Sequence, residues 1–159
     1  DDLVLGSAAT VPPAHYVKYW SSVGTPTESD YVFALGKTDG QSRWIYAAEE
    51  SISHNAIAMA EGLVFVIDRT SKAQLDQMKR RGEEAVEKRV LVALDADTGE
   101  VVWRTDESLA GRDILSTARG VLLASSSRNL TAYATASGEV LWASDLGNRP
   151  MPVICGDSI

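Results

Sequence analysis

Short apolar runs alternate with polar turns along most of this chain, and one such pattern occurs three times. The segment Ala93-Leu-Asp-Ala-Asp-Thr-Gly-Glu-Val-Val-Trp103 is matched by Ala132–Trp142, and a looser copy stands at Ala34–Trp44. In each copy an apolar strand end is followed by a polar turn with glycine and then by a returning strand that ends in tryptophan. A self-similar pattern of this kind indicates a repeat protein built from one supersecondary unit.

Two positions of the motif carry the structural prediction. The glycines supply the positive φ that a tight hairpin turn requires. The tryptophans end the motif at a fixed offset, where each ring can cover a neighbouring sheet while its indole N–H finds a partner. These structural repeat residues are Gly40, Trp44, Gly99, Trp103, Gly138 and Trp142. We therefore expect three equivalent hairpins with their rings in equivalent places.

The spacing of the motifs indicates the fold. From Ala93 to Ala132 the interval is 39 residues, close to the roughly 40–45 residues of a four-stranded propeller blade. A second apolar hairpin, present at 56–67 and again at 115–124, lies between the turn motifs. We expect an all-β fold, a partial β-propeller of about three to four four-stranded antiparallel blades over residues 31–159.

Two stretches depart from this period. The first interval between motifs is 20 residues longer than the second, and the highly charged residues 69–89 account for the excess. Ser71 with Gln74 matches a capping box and Gly82 is placed to end a helix, so a short helical insertion is expected there. Residues 1–30 match no copy of the motif and are expected to be an N-terminal extended segment or part of a preceding blade.

Charge and composition narrow the function classes. The formal net charge is −7, so a phosphate backbone would be repelled over most of the surface, and nucleic-acid binding is not expected. Cys155 is the single cysteine and forms no internal disulfide. No run approaches the roughly 18 apolar residues of a membrane span. The absence of an initiating methionine and the abrupt end at Ile159 favour a piece of a longer protein.

The motif string resembles the repeat of the pyrroloquinoline-quinone-type (PQQ-type, or quinoprotein-like) β-propellers. That superfamily includes the quinoprotein alcohol dehydrogenases and the non-catalytic outer-membrane assembly lipoproteins, and the resemblance is closer to the second group. It covers roughly residues 31–159 and is most specific at Ala93–Trp103. The resemblance implies the propeller fold, a bacterial source and a periplasmic or extracellular location.

Dehydrogenase chemistry is not expected from the residues present. The resemblance would imply a quinone held beside a Ca²⁺ ion with a catalytic Asp, and a disulfide of adjacent cysteines against the ring, but this sequence has no Cys-Cys pair. Asp95 and Asp97 belong to the turn motif, where bonding to backbone N–H groups is the expected role. We therefore predict no catalytic residue, no metal site and no cofactor.

One polar cluster is a candidate for ligand binding. The pair His54 and Asn55 precedes an apolar strand and is expected on a loop at one face of the propeller, where ligands usually bind. The pair Arg112 and Asp113 occupies the matching place in the next blade. If the two loops lie side by side, these four residues form the best polar cluster that the chain offers.

Three function classes are compatible with these patterns. The motif residues are all structural, which favours a non-catalytic propeller segment acting as a platform that binds a protein or a small ligand on a propeller face. The alternatives are a blade group of a quinone-dependent dehydrogenase and an accessory propeller domain of a carbohydrate-active or other enzyme. An open arc leaves its end blades bare, so self-association or missing blades are expected to complete the ring.

Overall fold

The fold is described by a computed structural model over residues 2–8, 28–105, 114–125 and 128–147, apart from the side chains of Asn55 and Ile114. Within these ranges the elements are ten strands and one helix. In chain order they are β1 (Leu3–Ala8), β2 (Glu28–Gly36), β3 (Ser42–Ala60), β4 (Leu63–Arg69), α1 (Lys72–Arg80), β5 (Arg89–Asp95), β6 (Val101–Arg104), β7 (Ile114–Ala118), β8 (Val121–Ser125), β9 (Asn129–Ala134) and β10 (Val140–Asp145). The all-β class expected from the repeat is confirmed.

The strands form two antiparallel sheets. One has six strands in the order β1-β2-β3-β4-β5-β6, and the other has four in the order β10-β9-β8-β7. The 19-residue β3 pairs with β2 through its first part and with β4 through its second part, with a register shift between Ile52 and Ile57. The larger sheet therefore contains two blade units that share one long strand, and the smaller sheet is a third blade unit. The partial β-propeller predicted from the repeat is confirmed.

The hydrophobic core lies between the blade units. On β4, Val64 and Val66 pack in a cluster shared with the first unit, whereas Phe65 and Ile67 pack in a cluster shared with the third. Because successive side chains of a strand point to opposite faces, the middle unit is buried on both faces. This burial explains why residues 63–67 of β4 are a continuous apolar run and do not alternate with polar residues.

The motif turns have the backbone that their sequence predicts. Gly40, Gly99 and Gly138 have φ of 64°, 74° and 74°. In the middle turn the Asp95 carboxylate accepts the backbone N–H groups of Thr98 at 2.8 Å and Asp97 at 3.0 Å. The bond from Thr98 is the main cause of a lowered pKa of Asp95. Asp95 therefore has the turn-stabilising role expected of it.

A tryptophan of the first unit lies on the turn of the second. Trp44 is 7% exposed and donates its indole N–H to the carbonyl of Ala96 at 2.7 Å. A Cβ built on Gly99 would lie 2.6 Å from the Trp44 ring, closer than real Cβ contacts come. Glycine is therefore required here for two reasons, its positive φ and the close approach of the ring. We call this contact the indole–glycine dock.

The same dock joins the second unit to the third. Trp103 donates to the carbonyl of Thr135 at 2.8 Å, and a Cβ on Gly138 would lie 2.6 Å from its ring. The Trp103 ring also packs against Phe65, with centroids 5.8 Å apart. The third motif tryptophan, Trp142, is 41% exposed. Two of the three rings thus cover a neighbouring unit as the sequence predicts, and the third faces outward.

Asp68 holds β3 where it passes from the first unit to the second. Its buried carboxylate accepts three backbone N–H groups, those of Glu49 at 2.7 Å and of Glu50 and Ser51 at 3.1 Å each. Hydrogen bonds to an ionised acceptor are stronger than neutral ones, and three of them satisfy this buried charge. The carboxylate therefore fixes the path of the long strand from one unit of the sheet to the next.

The short helical insertion is confirmed. Helix α1 begins after Ser71, whose side chain forms a capping box with Gln74, and none of its residues is buried. The two ends of the insertion are joined by two hydrogen bonds between Thr70 and Lys88, of 2.9 and 3.0 Å. No helix in the described ranges combines the length and apolar character that a bilayer crossing demands. The division of the chain at residue 30 and the insertion bounds 69–89 stay predictions.

Replacing Trp103 with alanine should lower the free energy of unfolding by about 3–5 kcal/mol, because it removes a ring that joins two units and leaves a cavity against Phe65. Urea denaturation followed by circular dichroism measures the change. The matched control is Trp142→Ala, at the same motif position but exposed, which should cost much less in dilute solution. Equal costs for the two variants would contradict the structural role of the dock.

Removing residues 72–86 and joining the ends with a short turn should leave the fold intact. The helix buries none of its residues, and the bonds between Thr70 and Lys88 already hold the ends of the excursion together. The cooperativity of thermal unfolding and the near-ultraviolet circular dichroism of the deletion variant measure this. Loss of a cooperative transition would show that the insertion is part of the core.

Candidate functional site

The polar cluster expected from the sequence is only partly described. His54 lies inside strand β3, so the prediction that His54 and Asn55 stand on a loop is wrong. The strand runs on from one unit to the next, and the connection that was expected to be a loop is extended backbone with a register shift. Arg112 and Asp113 lie outside the described residues. A four-residue ligand site therefore stays a prediction.

His54 makes a contact within the first unit. Its Nε2 lies 2.5 Å from the hydroxyl oxygen of Ser29 on β2. Ser29 is fully buried, whereas His54 is exposed at the surface. The bond satisfies a hydroxyl that would otherwise be buried without a partner, which is costly. For His54 the structure thus shows a structural contact across the β2–β3 pair.

A second polar cluster surrounds a shallow cleft beside β3, β4, β5 and β6, with a volume of about 240 Å³ that includes open solvent. Its lining consists of Glu49, Glu50, Asp68, Lys88, Val90, Val92 and Arg104. The two valines come from β5, and since Val92 is fully buried, Val90 provides the apolar surface. The remaining five residues bring charges of both signs. We call this feature the charged cleft. All of its lining residues except Lys88 belong to strands, so its shape is set mainly by the sheet.

An ion pair spans the charged cleft. Arg104 on β6 donates to the carboxylate of Glu49 on β3. This hydrogen bond lowers the pKa of Glu49 and raises the pKa of Arg104, so both groups are charged at neutral pH. Their side chains are 55% and 38% exposed. Exposed pairs of this kind contribute little to stability, so this pair can exchange its partner at small cost.

The phenol of Tyr46 lies close to the same charges. Burial raises the pKa of Tyr46, and the negative charge of Asp68 raises it further. The hydroxyl therefore stays protonated and neutral at any physiological pH. It cannot act as a base there, and the charge of the cleft comes from its carboxylates, Lys88 and Arg104.

The helical insertion is fixed beside the charged cleft. Gln74 on α1 donates to the Glu50 carboxylate at 2.5 Å. Glu28 at the start of β2 accepts from the backbone N–H of Lys72 at 3.1 Å and from Arg69 at 2.9 Å. These contacts tie the start of the helix to two strands of the first unit. The insertion is thus placed to form part of any surface that meets a partner here.

Sequence reasoning missed the charged cleft because its residues lie far apart in the chain. One signal was available, since Asp68 is a lone carboxylate that directly follows the apolar run 63–67. A charge in that position indicates a specific partner when the strand is buried. The pairing of Glu49 with Arg104, 55 positions apart, depends on the blade geometry and has no local signal.

The described residues do not fit a quinone and calcium site. In the part of the chain that is described, no three side chains of His, Cys, Asp or Glu are grouped so that they could hold a metal ion. The Asp68 carboxylate is already engaged by three backbone N–H groups. The single cysteine, Cys155, has no neighbour in sequence with which to form the vicinal disulfide that the quinone would lie against.

Solved structures with a similar fold include one assembly factor and two dehydrogenases. BamB from Moraxella catarrhalis aligns with a TM-score of 0.53 at 18% identity, over 73% of this chain and 31% of that chain. Quinohemoprotein alcohol dehydrogenase from Comamonas testosteroni aligns with a TM-score of 0.50 at 18% identity, over 91% of this chain and 23% of that chain. A europium-containing methanol dehydrogenase aligns with a TM-score of 0.50 at 16% identity, over 76% of this chain and 23% of that chain. These likenesses show the fold, and this chain spans about a third of the length of the BamB structure.

The sequence itself matches one protein family. No curated protein matches it, but the family described as outer membrane protein assembly factor BamB matches residues 17–153, which include all three motifs. The PQQ-like repeat predicted from Ala93–Trp103 is thereby confirmed. A repeated indole–glycine dock, a propeller arc and a match over most of the sequence agree, and the chain belongs to the BamB family of PQQ-type β-propellers.

Proposed function

We propose that this chain is part of a non-catalytic β-propeller that binds a protein partner in the assembly of outer-membrane proteins. The description of the matching family, an outer membrane protein assembly factor, supports a role in that assembly. The observation that supports binding is the charged cleft, an open feature with apolar surface and with the exposed charges of Glu49 and Arg104 on strands. Asp68 and Asp95, two carboxylates that could otherwise do chemistry, are held in backbone hydrogen bonds.

The shape of the charged cleft favours a protein over a cofactor. Its roughly 240 Å³ include open solvent, so it is a shallow depression, unlike the concave pockets that bury most of a small molecule. The tip of one partner side chain would occupy it. An apolar side chain would lie on Val90, which is partly exposed, and the surrounding surface would meet the backbone and flanking residues of the partner.

The charges of the cleft indicate what flanks that apolar side chain. Arg104 can leave Glu49 at little cost and pair with an acidic group of a partner, and Lys88 provides a second positive charge. Complementary charges at a rim set the rate of encounter and the choice of partner more than the total affinity. We therefore propose a segment with an apolar residue next to an acidic one.

Replacing Arg104 and Lys88 together with alanine should weaken binding of an outer-membrane β-barrel protein that is diluted from urea. We expect Kd to rise about tenfold, equivalent to about 1.4 kcal/mol, with unchanged thermal unfolding. Fluorescence anisotropy of the dye-labelled barrel protein measures this. The control is Arg43→Ala, which breaks an equally exposed pair with Asp39 on the first motif turn. Equal affinity of the cleft variant and the control would contradict this assignment of the site.

A blade group of a quinone-dependent dehydrogenase is the second candidate, and the likeness to two dehydrogenases supports it at the level of fold. A titration of the quinone with the chain distinguishes the two functions. Under the proposal, adding the chain to pyrroloquinoline quinone with Ca²⁺ leaves the absorbance of the quinone unchanged. A saturable spectral change would contradict the non-catalytic proposal and favour the second candidate.

A further inference from the structure

One polar group beside the charged cleft is buried without a partner. The hydroxyl oxygen of Tyr46 lies away from solvent, and no group in the described part of the chain forms a hydrogen bond with it. Folded proteins pair nearly all buried polar groups, because leaving one unpaired is costly. The phenol therefore offers a hydrogen bond that a ligand can complete.

The Tyr46 hydroxyl lies where the first two units face each other. Tyr46 stands on β3 opposite Val32 of β2, and its ring packs against the core cluster that the first and second units share. Burial is the main cause of the raised pKa of Tyr46, the charge of Asp68 raises that pKa further, and the charge of Arg104 lowers it. Asp68 and Arg104 belong to the second unit and line the charged cleft. The core thus holds the phenol beside the cleft.

Arg104 has hydrogen-bonding capacity beyond its ion pair. Its guanidinium carries five N–H donors in a planar fork, and Glu49 is bound through Nη1. The Arg104 side chain is 38% exposed, and exposed side chains change rotamer within nanoseconds. A small rotation therefore lets the fork engage a second acceptor next to the phenol.

The groups around the phenol favour an anionic acceptor. Arg104 and Lys88 have donors and no acceptor, and both line the charged cleft. The hydrogen bond from Arg104 is the main cause of the lowered pKa of Glu49, and the charge of Lys88 lowers that pKa too. Glu49 therefore keeps a positive neighbour when Arg104 turns to another anion. A carboxylate suits this place, since its two oxygens can accept from a guanidinium and a hydroxyl at once.

We infer that Tyr46 determines specificity in the charged cleft, where the carboxylate of an acidic side chain accepts from the Tyr46 hydroxyl and from Arg104, which rotates to admit it. This inference rests on the proposed function, which supplies a partner segment with an apolar residue next to an acidic one. It adds that the acidic group must be an anion with two acceptor oxygens. An amide in its place would turn an NH₂ donor toward the donors of Arg104.

Two peptides with blocked ends, acetyl-Leu-Asp-amide and acetyl-Leu-Asn-amide, test the inference. Titrated into the isotope-labelled chain and followed by NMR of the Arg104 backbone amide, the Asp peptide should bind about tenfold more tightly than the Asn peptide. In Tyr46→Phe the Kd of the Asp peptide should rise about tenfold, and that of the Asn peptide should change much less. Urea denaturation should show this variant to be at least as stable as the unchanged chain, because it lacks the unpaired buried hydroxyl.

The matched control is Tyr31→Phe. Tyr31 precedes Val32 on β2, so it lies on the other face of the same sheet, where its ring centroid is 6.4 Å from that of Phe33. Its hydroxyl should affect the binding of neither peptide. Three results would overturn the inference. They are an Asp peptide that binds no better than the Asn peptide, unchanged binding in Tyr46→Phe, and a loss of stability in that variant, which would show that the hydroxyl has a partner within the chain.

The proposed function is tested separately, by the barrel protein and the variant that lacks Arg104 and Lys88. If that variant weakens binding of the barrel protein but Tyr46→Phe leaves peptide binding unchanged, the inference alone fails. If the barrel protein binds the cleft variant and its control equally while the peptides respond as expected, the proposed function fails and the carboxylate site stands.

Discussion

The contact on which the arc depends is a tryptophan ring lying on the glycine of the next unit's turn. A four-stranded sheet alone has two apolar faces and nothing to cover them. The indole covers part of one face, and its N–H, donated to a turn carbonyl at 2.7 or 2.8 Å, fixes how the next sheet is placed. Because the glycine has no Cβ, the ring comes close enough for sheet-to-sheet packing to follow.

The middle unit shows what that contact makes possible. Its central strand is buried on both faces, with Val64 and Val66 toward one neighbour and Phe65 and Ile67 toward the other. Such a strand gains from burial only if both neighbours are held at the right distance and register. The docks on either side provide that constraint. The stability of each unit is therefore shared with its neighbours, as in other repeat proteins.

Local parts of the structure could be predicted from the sequence, and parts that depend on distant contacts could not. The capping box at Ser71 and the positive φ of the motif glycines are encoded within a few residues, so the helix and the turns were foreseen. The path of β3 was not. The polar stretch around His54 has the composition of a loop. The residues just before it, 49–51, are held as strand by hydrogen bonds from their backbone N–H groups to the Asp68 carboxylate, 17 to 19 positions away.

The same separation in sequence explains why the candidate site was missed. Glu49 and Arg104 come from different strands of two units and meet only because β3 is shared between them. Asp68 links structure and site, since it fixes the shared strand and also lines the cleft. The docks thus position the cleft although no docking tryptophan lines it.

Hydrogen exchange of the indole N–H protons, followed by NMR on a dilute sample, tests the central role of the dock most directly. The account predicts that the indole protons of Trp44 and Trp103 exchange as slowly as the backbone amides of β4, because both are released only when the units separate. The indole proton of Trp142 should exchange rapidly. Equal rates for all three would contradict the account, since the docks would then not be holding the units together.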